Sequence, residues 1–502
     1  MNNGKICVPV SAETSEKASA DVFRAGEFAD VIEIRVDALE PAEIGTFLGR
    51  VRSDKPLLIT YRPAEQGGYR QISFDQRVKF WNEIGDALDT SVLWFDQEAD
   101  LAGRVQKCHD PISIRSYHDF EGVPADLNAI FDSLAVGGEV VKIAVSASDA
   151  TDAIPVWKLL ERAKAENKYL IPVAMSEAGK WTRILGLAHG AFLTYASLDA
   201  GLETAGGQIT AKDMIESYRV KELDENTVVF GIIGDPIGQS LSPRMHNAVF
   251  AANGIDAVFI PLLVKDLDEF MRRMVLPKTR EVELNFGGFA VTMPHKLAIM
   301  KYLSAADPTA EKIGAVNTVK IEEGKLTGYN TDAYGFITPL TERFGDVRNA
   351  CVAVFGAGGS ARACVYELNR CGAKVTVIAR DPRKGEAFAN EFAIEFRELT
   401  PTSVVASDFD IIVDSTSLGM TDTSKNGSLF TADQLSGVKF VYDLVTKTGD
   451  TPLIREAKKA GIPSLGGMEM LIAQGAKQFE ILNGREPPVD IMRNALISRM
   501  EA

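Results

Sequence analysis

Lys142 stands inside an apolar run, VVKIAVS, and His118 lies near the end of the run before it, PISIRSYHDF. A lysine in such a strand must be paired, or have its pKa lowered by desolvation, or both. Desolvated and partly neutral, the amine is a nucleophile suited to forming an imine with a ketone. At a strand end it is equally a side chain whose head reaches water. An imidazole on the adjacent strand weighs toward the first reading, because it can move a proton on the carbon next to an imine. Arg35, Arg62 and Arg183 add guanidinium forks suited to a carboxylate or vicinal hydroxyls.

Three later segments also carry chemistry. GDPIGQSLSPRMHN places Ser240 and Ser242 before a helix, where hydroxyls can hold a carboxylate beside the positive helix end or cap the helix. VTMPHK supplies Lys296 and GYNTDAYGF supplies Asp332. Such a pair can exchange the proton of a carbinol while a nicotinamide moves hydride, or be two unrelated surface charges. CVAVFGAGGSARA fits G-x-G-x-x-A at Gly356, Gly358 and Ala361, either a pyrophosphate turn at a helix start or a packing turn. The following run, KVTVIARD, ends in Arg380, with Arg383 and Lys384 close behind. Basic groups there suit a 2′-phosphate and favour NADP, while Asp381 keeps NAD open.

The elements that must position these residues show a plain rhythm. Eight short runs, KICVPV, VIEIRVD, LLITYR, VLWFDQE, PISIRSYHDF, VVKIAVSA, YLIPVAM and FLTYAS, alternate with helical stretches. That pattern predicts a closed eight-stranded α/β barrel with its chemistry at the strand C-terminal ends. Glu33, Arg35, Arg62, Glu98, His118 and Lys142 fall there. From about Thr227 the pattern changes. The charged stretch IESYRVKELDENT reads as a linker, so two enzymes on one polypeptide are expected, divided near residue 225.

Composition narrows the class. A chain of 502 residues, 46% hydrophobic and 25% charged, is sized for several soluble domains. Apolar runs of about 18 residues free of charge are lacking, so no membrane span is expected. MNNGKICVPV enters a strand directly, with neither an apolar signal core nor a basic leader, so a cytoplasmic protein is expected. Cys7, Cys108, Cys351, Cys364 and Cys371 show neither CxxC nor zinc spacing and read as reduced thiols, with no metal expected. The net charge of −15 disfavours nucleic acid and means that an anionic substrate needs local cations. His109 and His189 fall in no motif and read as structural or solvated.

The first 222 residues resemble the type I 3-dehydroquinate dehydratases, Schiff-base barrels that convert 3-dehydroquinate to 3-dehydroshikimate. The resemblance rests on EIRVD, TYRPAEQGG, SYHDF, VKIAVSA, MSEAGKWTRI and TAGGQ, in order. It implies that Lys142 forms the imine and His118 is the general acid/base. It further implies that Glu33, Arg35 and Arg62 hold hydroxyls, while Arg183, Thr204 and Gln208 hold the carboxylate end. Where the family usually has a glutamate that orients the histidine, this chain has Gln66, with Glu65 one place earlier. Thr204 stands where serine is usual.

The remainder resembles shikimate dehydrogenase, through GIIGDPIGQSLSPRMHN, VTMPHK, GAVNT, GYNTD, GAGGSA, TSLGM and MLIAQGAKQFE. The resemblance implies a two-lobed enzyme with a Rossmann-type NADP domain. Substrate binding is expected over 226–335, completed by 470–502, and coenzyme binding over 345–469. By the same resemblance Ser240, Ser242, Thr292, Asn317, Asp332 and Gln474 line the shikimate pocket, and Lys296 with Asp332 moves the proton. Thr446 sits where a tyrosine often touches substrate. Coenzyme contacts would come from Gly356, Ala357, Gly358, Gly359, Ser360, Ala361, Arg380, Asp381, Arg383, Lys384, Thr416, Leu444 and Gly467. Asp414 replaces the usual asparagine before TSLGM. The expected protein is thus a bifunctional enzyme taking 3-dehydroquinate to shikimate with NADPH, without an obligate protein partner. A degenerate barrel carrying a lone dehydrogenase, or a preference for quinate, are the rival readings.

Overall fold

The computed structural model describes residues 4–87, 93–105, 112–136, 140–400, 405–419, 427–447 and 449–497. Cys108, His109 and Met420 of TSLGM lie outside them. The eight runs form the strands β1 (Ile6–Val10), β2 (Val31–Arg35), β3 (Leu57–Thr60), β4 (Leu93–Glu98), β5 (Ser113–Asp119), β6 (Val140–Ser146), β7 (Leu170–Met175) and β8 (Thr194–Tyr195). They make one parallel sheet in the order β7-β6-β5-β4-β3-β2-β1-β8. The barrel is nearly closed rather than fully laddered. β8 has two residues where FLTYAS suggested six, and the Phe192 amide donating to the Leu170 carbonyl at 2.8 Å joins the β7 and β8 segments. Successive residues of a strand face opposite sides. The inner side of the barrel therefore takes Cys7, Val31, Leu58, Ile114, Val140, Ala144, Ile171 and Tyr195. Glu33, Arg35, Asp96, Glu98, His118 and Lys142 fall in step with them.

A second sheet has the order β10-β9-β11-β13-β14-β12. Its strands are β9 (Val228–Gly234), β10 (Ala257–Leu263), β11 (Phe286–Val291), β12 (Ala305–Ala306), β13 (Thr318–Glu322) and β14 (Lys325–Tyr329). The third sheet is wholly parallel, in the order β17-β16-β15-β18-β19-β20. It comprises β15 (Cys351–Phe355), β16 (Lys374–Ala379), β17 (Glu395–Glu398), β18 (Ile411–Asp414), β19 (Phe440–Asp443) and β20 (Ser464–Gly466). Its central strands are largely apolar because both faces are covered. Val352, Val354, Val377, Ile411 and Val413 pack on one side. Ala353, Phe355, Ile378, Ile412 and Val441 pack on the other. The order reverses at β15, where an open α/β sheet binds ligands.

The chain forms two compact units, residues 1–240 with 255–286, and residues 241–254 with 287–502. The compact division thus differs from a cut near residue 225, since β9 and β10 count with the barrel. Polar contacts inside the first unit account for this. Asp149 accepts the amides of Thr151 at 2.9 Å and Lys265 at 2.7 Å. Glu281 pairs with both Lys158 and Arg273 at 2.6 Å. Arg219 donates to the Ala257 carbonyl at 2.8 Å. Val220 and Leu223 are buried, so the barrel's packing extends past Ser217. A fragment of residues 1–224 should fold with a thermal midpoint several degrees below that of the full chain. A fragment ending at Ser217 should melt lower again. Circular dichroism melts test this, and equal midpoints for the two fragments would contradict the assignment of Val220 and Leu223 to the barrel.

Candidate active sites

A cavity of about 60 Å³ opens inside the barrel, lined by Glu33, Arg35, Arg62, Gln66, His118, Lys142, Arg183, Thr204 and Gln208. Of the barrel residues singled out from the sequence, Glu65 and Glu98 are not part of this lining. The β-sheet register explains the assembly. Lys142 lies level with Ser116, and His118 one inward-facing step nearer the C-terminal end, level with Ala144. Lys142 is buried and paired: its Nζ donates to Asp96 Oδ2 at 2.8 Å and to the Tyr195 hydroxyl at 3.0 Å. The same Asp96 oxygen accepts from Arg62 at 2.7 Å. Thr60 donates to Glu33 at 2.7 Å, and Arg35 is held by Asp37 at 3.1 and 2.8 Å. Glu98, expected at the mouth, instead backs Arg62 and Arg77, each at 3.3 Å. Gln66 is half-buried and lines the cavity, whereas Glu65 is exposed.

The electrostatics follow from burial. Burial disfavours a charged Asp96, but the cations Lys142 and Arg62 and the nearby His118 hold its carboxyl well below the usual range. Burial raises Glu98 to about 7, with Asp96 adding to the effect against Arg62. Burial, then Arg62 and Lys142, push His118 well below its ordinary 6.5. Its imidazole is therefore neutral at neutral pH, and among the described residues neither ring nitrogen has a hydrogen-bond partner. Arg183 is buried, its Nε is unpartnered, and burial lowers it to about 10. Its guanidinium donates to the Gly206 carbonyl at 3.4 Å. A buried guanidinium without a carboxylate is a receptor for one. Asp96 and Tyr195 are the residues sequence reasoning missed. Asp96 shares the inward face with Glu98 two residues on, so alternation could have found it. Tyr195 reads as a core aromatic, and nothing in FLTYAS marks its hydroxyl.

A wider cleft of about 660 Å³ lies elsewhere in the first unit. Its three cations are already satisfied, Lys158 and Arg273 by Glu281 and Arg162 by Asp132, so it lacks the unpartnered groups of the barrel cavity.

In the second unit, Lys296 and Asp332 meet at 2.5 Å, so they are a pair rather than two scattered charges. Asp332 lies in the first turn of a helix (Thr331–Phe344) capped by Asn330. Its other oxygen accepts from Asn317 at 2.9 Å, and Asn317 also reaches Gln474 at 3.4 Å. Ser242 starts a helix (Ser242–Ala252) and is buried; Thr292 is half-buried, four residues before Lys296. Ser240, in the first unit, is half-buried, its amide bonded to the Ile237 carbonyl at 3.0 Å. Lys296 Nζ stands 3.5 Å from Ser360 Oγ, and a Cβ on Gly359 would lie 3.0 Å from the Lys296 chain. The glycine turn and the Lys–Asp pair therefore share one site.

That turn suits a nucleotide. Gly356 has φ 107, and Gly358 leads an uncapped helix (Gly359–Arg370) with open space where a Cβ would point. Ala361 is buried beneath it. A second uncapped helix (Gly467–Asn483) starts where a Cβ on Gly467 would strike the Leu444 carbonyl at 2.3 Å. Thr416 is half-buried, its hydroxyl accepting the Leu418 amide at 3.1 Å, and Thr446 is half-buried. Arg380, Arg383 and Lys384 are exposed beyond β16. Asp381 caps the next helix, accepting the amides of Arg383 at 3.1 Å and Lys384 at 3.3 Å.

Comparison with known proteins gives four matches to family models. Residues 6–225 match type I 3-dehydroquinase, and 232–319 match the shikimate dehydrogenase substrate binding domain. Residues 340–427 match shikimate / quinate 5-dehydrogenase, and 467–497 match the shikimate 5'-dehydrogenase C-terminal domain. The chain is 31% identical to a bifunctional 3-dehydroquinate dehydratase/shikimate dehydrogenase, chloroplastic, of Arabidopsis thaliana, covering 98% of this chain and 84% of the relative. It is 37% identical to a shikimate dehydrogenase (NADP(+)) of Methanocaldococcus jannaschii, over 55% of this chain and 99% of that one. A crystal structure of a shikimate dehydrogenase in complex with NADP+ superposes with TM-score 0.51 at 38% identity, covering 55% of this chain and 97% of its own.

Asp414 and Asp443 are Cα partners at the ends of β18 and β19, both buried. Asp414 accepts the Thr416 amide at 2.8 Å, and Asp443 the Val445 amide at 3.0 Å. Burial, and then Asp443, raise Asp414 from 3.8 to about 7. Between those values the folded chain holds a proton that the unfolded chain has released, so stability falls as pH rises through that window. Asp414→Asn keeps the amide contact and removes the charge. It should stabilise the chain by about 2 kcal/mol at roughly pH 8, with the gain vanishing toward about pH 4. Denaturant melts across that range check it, and a gain independent of pH would contradict it.

Proposed function

Because the chain belongs to the family of bifunctional 3-dehydroquinate dehydratases/shikimate dehydrogenases, we propose the following assignment of its two reactions to its residues. The barrel dehydrates 3-dehydroquinate to 3-dehydroshikimate, and the second enzyme reduces that product to shikimate. The observation that carries the assignment is a buried lysine sharing a cavity with a buried, unpartnered, neutral histidine. Lys142 forms an imine with the substrate ketone. The iminium draws electrons from the neighbouring carbon, and neutral His118 takes its proton. His118 then returns a proton to the departing hydroxyl, which leaves as water. Arg183, with Thr204 and Gln208, receives the carboxylate; Glu33, Arg35 and Arg62 hold ring hydroxyls. Gln66, rather than Glu65, faces the substrate. The degenerate-barrel alternative loses force because the set is intact.

In the second enzyme, Ser240, Ser242, Thr292, Asn317 and Gln474 bind shikimate, with Thr446 beside them. Lys296 donates the proton to the ketone oxygen, and Asp332 holds its ammonium in place. NADPH, when bound, supplies hydride. Gly356, Ala357, Gly358, Gly359, Ser360 and Ala361 would cradle its pyrophosphate at the uncapped helix start, flanked by Thr416, Leu444 and Gly467. Arg380, Arg383 and Lys384 would hold the 2′-phosphate. The use of Asp381 as a helix cap supports NADP over NAD, since its carboxylate is already engaged by two amides. No metal has a part in either reaction as proposed. Among the described residues no helix is long and apolar enough to cross a membrane. The free thiols Cys7, Cys351, Cys364 and Cys371 support a reducing compartment, the cytoplasm. We further propose that the functional division falls between residues 222 and 226.

Borohydride added with 3-dehydroquinate should fix the ligand mass on the peptide containing Lys142. Trapping that persists in Lys142→Ala would falsify the imine assignment. For the reductase, Arg380→Ala should raise the KM for NADP about tenfold, the loss of one charge-assisted contact, and leave that for NAD nearly unchanged. Steady-state rates with both coenzymes decide, and equal effects would remove Arg380 from phosphate binding.

A further inference from the structure

The Lys142 nitrogen is anchored from two sides, and only one anchor is a charge. Asp96 accepts one N–H at 2.8 Å and the Tyr195 hydroxyl accepts another at 3.0 Å. Nζ lies 4.4 Å from the Tyr195 ring centroid. Tyr195 is buried, belongs to the short strand β8 beside Cys7, and lines the same cavity as His118 and Arg183. A lysine ammonium has three N–H bonds on a tetrahedral nitrogen. Fixing two of them directs the third into the cavity.

We infer that Tyr195 is a catalytic residue of imine formation, relaying a proton from the Lys142 nitrogen to the hydroxyl that leaves the carbinolamine. The proposal rests on the imine chemistry assigned to Lys142. The ammonium first gives its cavity-facing proton to neutral His118. The lone pair left behind forms the C–N bond, and the carbonyl π pair moves to oxygen, which takes the proton back from His118. The nitrogen of this carbinolamine is positive and keeps two N–H bonds, one to Asp96 and one to Tyr195. Tyr195 accepts the second proton while passing its own to the carbinolamine hydroxyl, and the C–O bond breaks to release water. The remaining iminium has one N–H, facing Asp96 as its counter-ion. In sum, ammonium and ketone become iminium and water. The two transfers at Tyr195 are concerted, so no phenolate accumulates. Burial, with Glu33 and Asp96 nearby, holds the phenol well above its ordinary value and favours that course.

The test uses the full chain with Tyr195→Phe, which removes one oxygen. Single-turnover quenching with borohydride reads the rate at which 3-dehydroquinate becomes fixed to Lys142. The expected results are a 10- to 100-fold slower fixation, roughly the range for a lost acid–base group, a fall in kcat with KM within about twofold, and an unchanged shikimate dehydrogenase rate. A wild-type fixation rate in the variant overturns the proposal. Wild-type chain that cannot be trapped at all would instead overturn the imine reading itself. Should Tyr195→Phe fail to fold, 3,5-difluorotyrosine at position 195 keeps shape and hydroxyl while making the phenol more acidic. A fixation rate that ignores that acidity also overturns the relay.

Discussion

The barrel is organised around charges that cannot leave. Lys142, Asp96, Arg62, Glu98 and Arg77 form one chain of ion pairs under the cavity, all of them buried. Removing one member of such a set strands the charge of its neighbour, at a cost of about 3–5 kcal/mol. The cost falls on folding, whereas the benefit goes to chemistry. A lysine fixed by a carboxylate and a hydroxyl stands in one orientation before substrate arrives, and catalysis gains from groups already in place. His118 is the complementary case. Burial first, and then the cations Arg62 and Lys142, keep it neutral, so the network that orients the nucleophile also helps to prepare the base.

The second enzyme solves a different problem. Its ionic centre is a single Lys296–Asp332 pair, tied by Asn317 to Gln474. Side-chain amides supply the rigidity that the barrel obtains from salt bridges. A reductase whose coenzyme brings the reactive group needs orientation and one mobile proton, and a small neutral network is sufficient.

What could be read from the sequence follows the range of the signals. The strand rhythm located all eight barrel strands, because short apolar runs set between helical stretches are written locally. It overestimated β8, whose backbone is satisfied by Phe192 and Thr194 contacts to distant strands. The barrel residues Glu33, Arg35, Arg62, His118, Lys142 and Arg183, drawn from separate motifs, line one cavity. Tyr195 escaped because its role depends on which strands become neighbours across the barrel, and no spacing encodes that, whereas Asp96 lay within reach of the alternation that marks Glu98. The compact boundary escaped for a similar reason. IESYRVKELDENT does look like a linker, but Asp149 and Glu281 reach across more than a hundred residues to bind β9, β10 and the following segment to the barrel. The glycine turn was ambiguous until Gly359 came to rest against Lys296.

The buried guanidinium of Arg183 bears on the life of the molecule as well as on its chemistry. A cation enclosed without a counter-charge weakens the ligand-free fold, and any carboxylate that settles against it restores what was lost. Ligands that bind only the folded state stabilise it in proportion to the logarithm of their concentration. A chain starved of substrate is therefore opened by thermal fluctuation more often than a chain at work, and proteases act on opened chains. A carboxylate ligand held at Arg183 thus protects the fold as well as entering the reaction.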